Sequence, residues 1–173
     1  MTFDKAVDHI MTLEGGYVDH AVDKGGRTKY GITEARYPDE DIEGLTKDRA
    51  KMLYLEDFWL KYSINDLPDL YRLLIMDMYV NHSPRGVALI VQRSINSKAG
   101  RDVLSVDGIF GEKTKRALMS YRPELFRIMA FRVDYYHRII KNDPSQKVFY
   151  VGWINRCLKL YAEIYELDET RLS

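Results

Sequence analysis

Apolar residues recur at helical spacing from the start of the chain. Phe3, Ala6, Val7, Ile10 and Met11 fall on one face of a 3.6-residue period. Thr2 stands before them as a cap and Asp4 sits in the first turn, where a negative charge suits the helix dipole. Gly15 and Gly16 stop the pattern, which predicts a helix closing at or near Glu14. Residues 17–33 change character. Tyr17-Val18-Asp19-His20 and Thr28-Lys29-Tyr30-Gly31-Ile32 are short β-prone pieces on either side of Asp23-Lys24-Gly25-Gly26, and this turn chemistry predicts a small, irregular β-hairpin.

Helical patterning returns near Thr33 and again from Thr46, with Ala50, Leu53, Tyr54 and Phe58 on one face. Leu70 to Val80 is apolar nearly all round, as a central buried helix requires. Ser83-Pro84 is a cap followed by proline at a first helical position, and Val87, Ile90, Val91 and Ile95 line the helix it opens. Lys98 to Gly111 reads as a connection with an Asp107-Gly108 turn. Further helices are predicted at Glu112–Ser120, Pro123–Asn142 and about Val151–Glu166, with Pro144 breaking the last two apart. The predicted class is mostly α with one small β-hairpin near the N-terminus.

Composition narrows the function classes. Lys plus Arg equals Asp plus Glu at 26 each, so no bulk charge draws the chain to nucleic acid. The longest apolar run, Leu73 to Val80, is broken by Asp77 and falls far short of the ~20 residues of a membrane span. No basic-then-apolar leader opens the chain, so synthesis as a soluble cytoplasmic protein is expected. Cys157 is the only cysteine, which rules out an internal disulfide; its helical apolar context reads as core. His9, His20, His82 and His137 lack the spacing of metal ligands, and no phosphate-cradling loop is present, so neither metal nor cofactor is expected.

One carboxyl stands out as a candidate acid. Glu14 falls where exposed helix carbonyls disfavour a negative charge, an effect of ~0.3–1 kcal/mol. That is less than one pKa unit, so burial by Leu13 and Tyr17 has to supply the rest. The flanking glycines allow a ligand close to the backbone. A solvated glutamate at an ordinary helix end has the same spacing, and spacing alone does not separate the two readings.

The longer segment separates them. Glu14-Gly15-Gly16-Tyr17 followed by Asp23-Lys24-Gly25-Gly26-Arg27-Thr28-Lys29-Tyr30-Gly31-Ile32-Thr33 resembles glycoside hydrolase family 108, the N-acetylmuramidases of phage lysins and bacterial relatives. Ala50, Tyr54 and Trp59, then Asp77, Asn81 and Gln92, continue the resemblance, although Asn81-His82-Ser83 replaces the usual Asn-Ser-Gly. Asp107-Gly108-Ile109-Phe110-Gly111, Thr114 and Phe149…Gly152-Trp153-Ile154-Asn155-Arg156 look like the peptidoglycan-binding region that usually follows.

The resemblance implies a lysozyme-like helical fold, with a catalytic region over 1–97 and a C-terminal helical region over 98–173 packed on it as one globular unit. It implies hydrolysis of the β-1,4 bond between N-acetylmuramic acid and N-acetylglucosamine, with Glu14 as catalytic acid. Eight residues separate Glu14 from Asp23, as in T-even phage lysozymes; four separate Asp23 from Thr28, one fewer than there. Asp23 is a candidate to activate water or support a cationic transition state, or else a turn aspartate; Asp19 competes for the same role. Thr28 either positions water or is a strand residue. Tyr17, Tyr30 and Asn81 are candidate sugar contacts, with hairpin packing or helix capping as the alternatives. A lytic transglycosylase, and a non-catalytic wall-binding or secretion-related protein, remain as rival functions. The expected partners are peptidoglycan glycan strands and a separate pore-forming holin. The protein is expected to work as a monomer, released to act on the wall in the periplasm.

Overall fold

The described backbone of the computed structural model covers residues 1–14 and 27–172, and the described side chains 1–12 and 27–166. It divides into two units, Met1–Asp66 and Leu67–Ser173. The boundary expected between residues 97 and 98 falls inside the second of these, near the end of a helix. Among the described residues there are seven α-helices and one two-stranded sheet, the mostly α class with a small N-terminal hairpin that the pattern predicts.

In the first unit, α1 spans Phe3–Glu14. Ala6, Val7, Ile10 and Met11 are buried, and Phe3 meets Trp59 edge-on at 5.6 Å. Asp8, on another face, pairs with Lys47 at 2.9 Å and Lys51 at 3.1 Å, tying α1 to α2 (Lys47–Tyr54). Helix α2 starts where Thr46 predicts it: the threonine hydroxyl accepts from Arg49 N at 3.1 Å. Its last turn runs on as a π-helix over Leu55–Leu60. The wider turn lets adjacent Phe58 and Trp59 both reach the core, which a strict 3.6 period does not foresee. No helix forms near Thr33. Arg36 N and Tyr37 N both reach Thr33 O, and the turn goes no further because Pro38 disfavours helical backbone at Tyr37.

In the second unit, α3 (Asp69–Asn81) is buried on nearly every side from Leu73 to Tyr79. Ser83 Oγ accepts from Gly86 N at 3.1 Å and Pro84 opens α4 (Pro84–Ala99), which stops at Gly100 with φ 67°. After α4 come α5 (Glu112–Tyr121), α6 (Leu125–Asn142), a 3-10 stretch over Pro144–Phe149 and α7 (Tyr150–Leu172). Among the described side chains of α7, Cys157, Leu160 and Ile164 are buried, and Trp153 stacks on Tyr136 of α6 at 4.6 Å.

A linked set of polar groups runs through this core. Asp77, fully buried on α3, sits 2.7 Å from Arg132 Nη1 of α6 and 2.6 Å from Arg156 Nη2 of α7. Arg132 Nε donates to His82 Nε2 at 3.0 Å. Burial alone would push the Asp77 carboxyl up; the two guanidiniums outweigh it and hold it below the usual carboxylate range. Burial, and then the charge of Arg132, pushes His82 down to about 3, so the ring stays neutral and accepts the arginine's proton.

Asp77→Ala leaves two guanidiniums facing an empty, dry site. It should destabilise the protein by about 3–5 kcal/mol in urea unfolding. His82 takes up a proton near 6.5 when unfolded but only near 3 when folded. The unfolded chain therefore binds more protons within that window, and stability should decline as pH falls through it. His82→Gln, which keeps an acceptor without titrating, should flatten this acid limb in a series of melts from pH 7 to 4.

Candidate active site

The site residues expected from sequence fall in three places. Helix α1 runs to Glu14, its final residue, with no basic residue in its last turn to offset the terminal carbonyls. The Glu14 side chain lies outside the described residues, as do Tyr17, Asp19 and Asp23 and the 17–26 part of the predicted hairpin. Thr28 and Tyr30 stand together on the described part. Strand β1 (Thr28–Lys29) pairs antiparallel with β2 (Ile32–Thr33), Thr28 opposite Thr33 and Lys29 opposite Ile32. Asn81 belongs to the second unit.

The hairpin is built around a demanding turn. Tyr30 and Gly31 have φ of 54° and 77°, the two positive values of a type I′ turn. Glycine accepts this freely. For a tyrosine the left-handed region costs about 1–2 kcal/mol, so the surroundings have to hold it. They do so from several sides. Tyr54 of α2, 1% exposed, donates its hydroxyl to Tyr30 O at 3.1 Å. Lys29 Nζ donates to Glu43 O at 2.8 Å, and Arg27 pairs with Glu34 at 2.9 Å across the strand pair. The hydrogen bonds and charge of Arg27 draw the Glu34 carboxyl below its ordinary range. Ile32 is the buried side of the hairpin; Thr28 and Tyr30 remain half-buried, open to a ligand. Sequence reading places Tyr54 only on the apolar face of its helix. Its hydroxyl contact depends on tertiary approach and carries no signal in the chain.

Asn81 is exposed at the end of α3 and turns its amide back on its own helix, Nδ2 donating to Asp77 O at 2.8 Å. The side-chain carbonyl is the atom this bond does not use.

The second-half motifs converge in space. Buried Gln92 donates to Asp107 Oδ1 at 2.8 Å, Ile109 O at 3.1 Å and Thr114 Oγ1 at 3.2 Å, and accepts from Gly108 N at 3.0 Å. One turn along α4, Asn96 accepts from Val103 N and Leu104 N and donates to Leu104 O at 2.8 Å. These two amides fix the irregular segment from Gly100 to Gly111, including the expected turn at Asp107-Gly108, where Gly108 has φ 79°. Phe110, half-buried, packs edge-on against Tyr79 at 6.3 Å. Among the described residues no group of three or more His, Cys, Asp or Glu is placed to hold a metal ion. No described helix is long and apolar enough to cross a membrane.

Residues 7–83 match the family described as Glycosyl hydrolase 108, and residues 86–158 match the one described as Predicted Peptidoglycan domain. Residues 7–83 thus form a segment of the glycosyl hydrolase 108 type. A solved structure titled "Structure of Brucella abortus SagA" is similar along almost the whole length, at 27% identity and a TM-score of 0.72, covering 95% of this chain and 94% of that one. No curated protein sequence matches. The family 108 segment takes in most of α1 with its C-terminal end, the hairpin and α3, and the peptidoglycan segment contains the Gln92–Asp107 cluster. A family 108 segment followed by a peptidoglycan domain makes the chain a peptidoglycan-degrading glycoside hydrolase.

The turn carries its own test. Tyr54→Phe removes one hydrogen bond to the hairpin and should lower stability by about 1 kcal/mol. Gly31→Ala puts a Cβ into the left-handed region and should cost about 1–2 kcal/mol. Urea midpoints of the two variants beside the wild type read both effects.

Proposed function

We propose that this family 108 hydrolase is a muramidase of the endolysin type, cleaving the β-1,4 bond between N-acetylmuramic acid and N-acetylglucosamine with Glu14 as general acid. The observation that carries the reading is the position of Glu14 inside the family 108 segment, as the terminal residue of α1. Glycoside hydrolysis needs a carboxylic acid that keeps its proton near neutral pH and a second group on the other side of the bond. The carbonyl end of α1 disfavours the glutamate anion, and a bound glycan that excludes water adds to the effect.

In this mechanism the glycan strand lies along the hairpin. Glu14 gives its proton to the glycosidic oxygen as the bond breaks and positive charge develops at the anomeric carbon. A water oriented by Asp23 or Thr28 adds there; the Asp23 carboxylate takes its proton, or, where Thr28 alone orients the water, the proton leaves to solvent. Tyr17 and Tyr30 contact the sugars, Tyr30 from a turn that Tyr54 holds. Asn81, in the second unit, is a separate proposed sugar contact, its side-chain carbonyl accepting from an acetamido N–H. In a host cell the enzyme is made in the cytoplasm, crosses the inner membrane through a separate pore-forming protein, and lyses the cell by opening the wall.

Digestion of purified peptidoglycan should give water-added reducing ends by mass spectrometry. Anhydro ends would assign the chain to the lytic transglycosylases instead, and no released ends at all would make it a wall-binding scaffold. Glu14→Gln, with its fold confirmed by circular dichroism, should cut the rate by ~10²–10⁴-fold, the range for a positioned proton donor. Wall clearing by that variant at wild-type speed would remove Glu14 from the role.

A further inference from the structure

A second candidate site lies between α4 and α6, within the second unit. Leu89 and Ile90 of α4 and Phe131 and Tyr135 of α6 give it an apolar floor, and Arg93, Asp134 and Arg138 add charged groups to its lining. Its volume is about 190 Å³. Sites that enclose a whole drug-sized ligand run to ~300–1,000 Å³, so this one takes a single sugar unit or its substituent and not a strand.

Two features give the groove a fixed shape. Gly86 is the third residue of α4, and a Cβ there would lie 2.6 Å from Tyr135 Oη and 2.8 Å from its Cζ. Glycine is a poor helix residue, and here its missing side chain is what lets the tyrosine ring lie against α4. The other edge of that ring is set by His82, edge-on at 5.4 Å. The aromatic wall is therefore in place before any ligand arrives.

The charges indicate which ligand fits. Arg138 Nε donates to Asp134 Oδ2 at 2.8 Å, one turn away on the same helix, so those two charges offset each other. Arg93 makes no ion pair among the described residues, leaving one guanidinium beside an aromatic and aliphatic floor. A ligand suited to this combination has a small apolar group for the floor and an anion for Arg93. Every lining residue lies within 86–158, the segment matched to a peptidoglycan domain, which names the polymer. Within peptidoglycan the unit with both features is the N-acetylmuramyl group carrying its stem peptide: an acetamido methyl beside a peptide carboxylate. We propose that the α4–α6 groove is a binding site for this N-acetylmuramyl-peptide unit, holding the wall through the second unit. The assignment rests on the peptidoglycan part of the proposed function, but not on its chemistry.

The test is a titration of the full chain, carrying Glu14→Gln so that nothing is cleaved, followed by amide NMR. Muramyl dipeptide is the anionic probe and chitotriose the neutral one. Muramyl dipeptide should shift resonances of Leu89, Arg93, Phe131 and Tyr135, and chitotriose should leave them in place. Arg93→Gln should weaken muramyl dipeptide binding roughly tenfold, the scale of one charge-assisted hydrogen bond. Gly86→Ala, which displaces Tyr135, should weaken it as well, with circular dichroism unchanged in both variants. The proposal is overturned if muramyl dipeptide leaves the groove unshifted, if chitotriose binds there equally well, or if Arg93→Gln binds undiminished. Wild-type wall hydrolysis, assayed separately, reports on the Glu14 reading alone: its failure would sink that reading and leave the binding result standing.

Discussion

A carboxylate with no access to water is stable only where cations and hydrogen-bond partners enclose it, and Asp77 imposes that condition on the second unit. Its two arginines come from α6 and α7, and one of them is held in turn by His82 just beyond the end of α3. Three helices therefore have to meet at one point and in one rotation. An apolar core tolerates small slips between helices, but a buried ion pair does not, since a slip strands a charge. The same contacts keep His82 neutral, so the lock holds at neutral pH and loosens in acid. His82 also sets one edge of the Tyr135 ring, which links the lock to the wall of the α4–α6 groove.

Side chains do the work of regular structure where the chain is irregular. Gln92 and Asn96, one turn apart on α4, satisfy the backbone of the segment from Gly100 to Gly111, which has no helix or strand to do so. In the first unit Tyr54 does the same for the hairpin turn, accepting the strain of a tyrosine at positive φ and holding Tyr30 in place. Precision at both places depends on buried side chains that hold the backbone, so their loss acts through geometry.

Much of the fold was legible because it follows from local chemistry. Ser83 caps the helix it was expected to cap and Pro84 opens it, helical structure resumes at Thr46 as expected, and the apolar girth of α3 marks it as central. The expected helix near Thr33 did not form. A single turn closes on Thr33 O, and Pro38 stops it there. The π-turn at Leu55–Leu60 was equally hidden, since a change of helical period leaves the sequence pattern nearly intact. At the candidate site, the β-prone piece over residues 28–32 was legible, but it folds back on itself at Tyr30-Gly31 instead of running as one strand out of the expected turn at 23–26. The residues that hold that hairpin were not legible.

The sequence by itself determined most of the helical segments, the Ser83-Pro84 cap, the presence of a small N-terminal hairpin and the family motif around Glu14, all features written within a few consecutive residues, but not the hairpin turn at Tyr30-Gly31, which lies inside the expected strand piece 28–32. Only tertiary structure decided that Asp77 would face Arg132 and Arg156, that Gln92 would gather Asp107, Ile109 and Thr114, and that Gly86 would make room for Tyr135. Periodicity tells which face of a helix turns inward, whereas the partner it meets there depends on the packing of helices far apart in the chain.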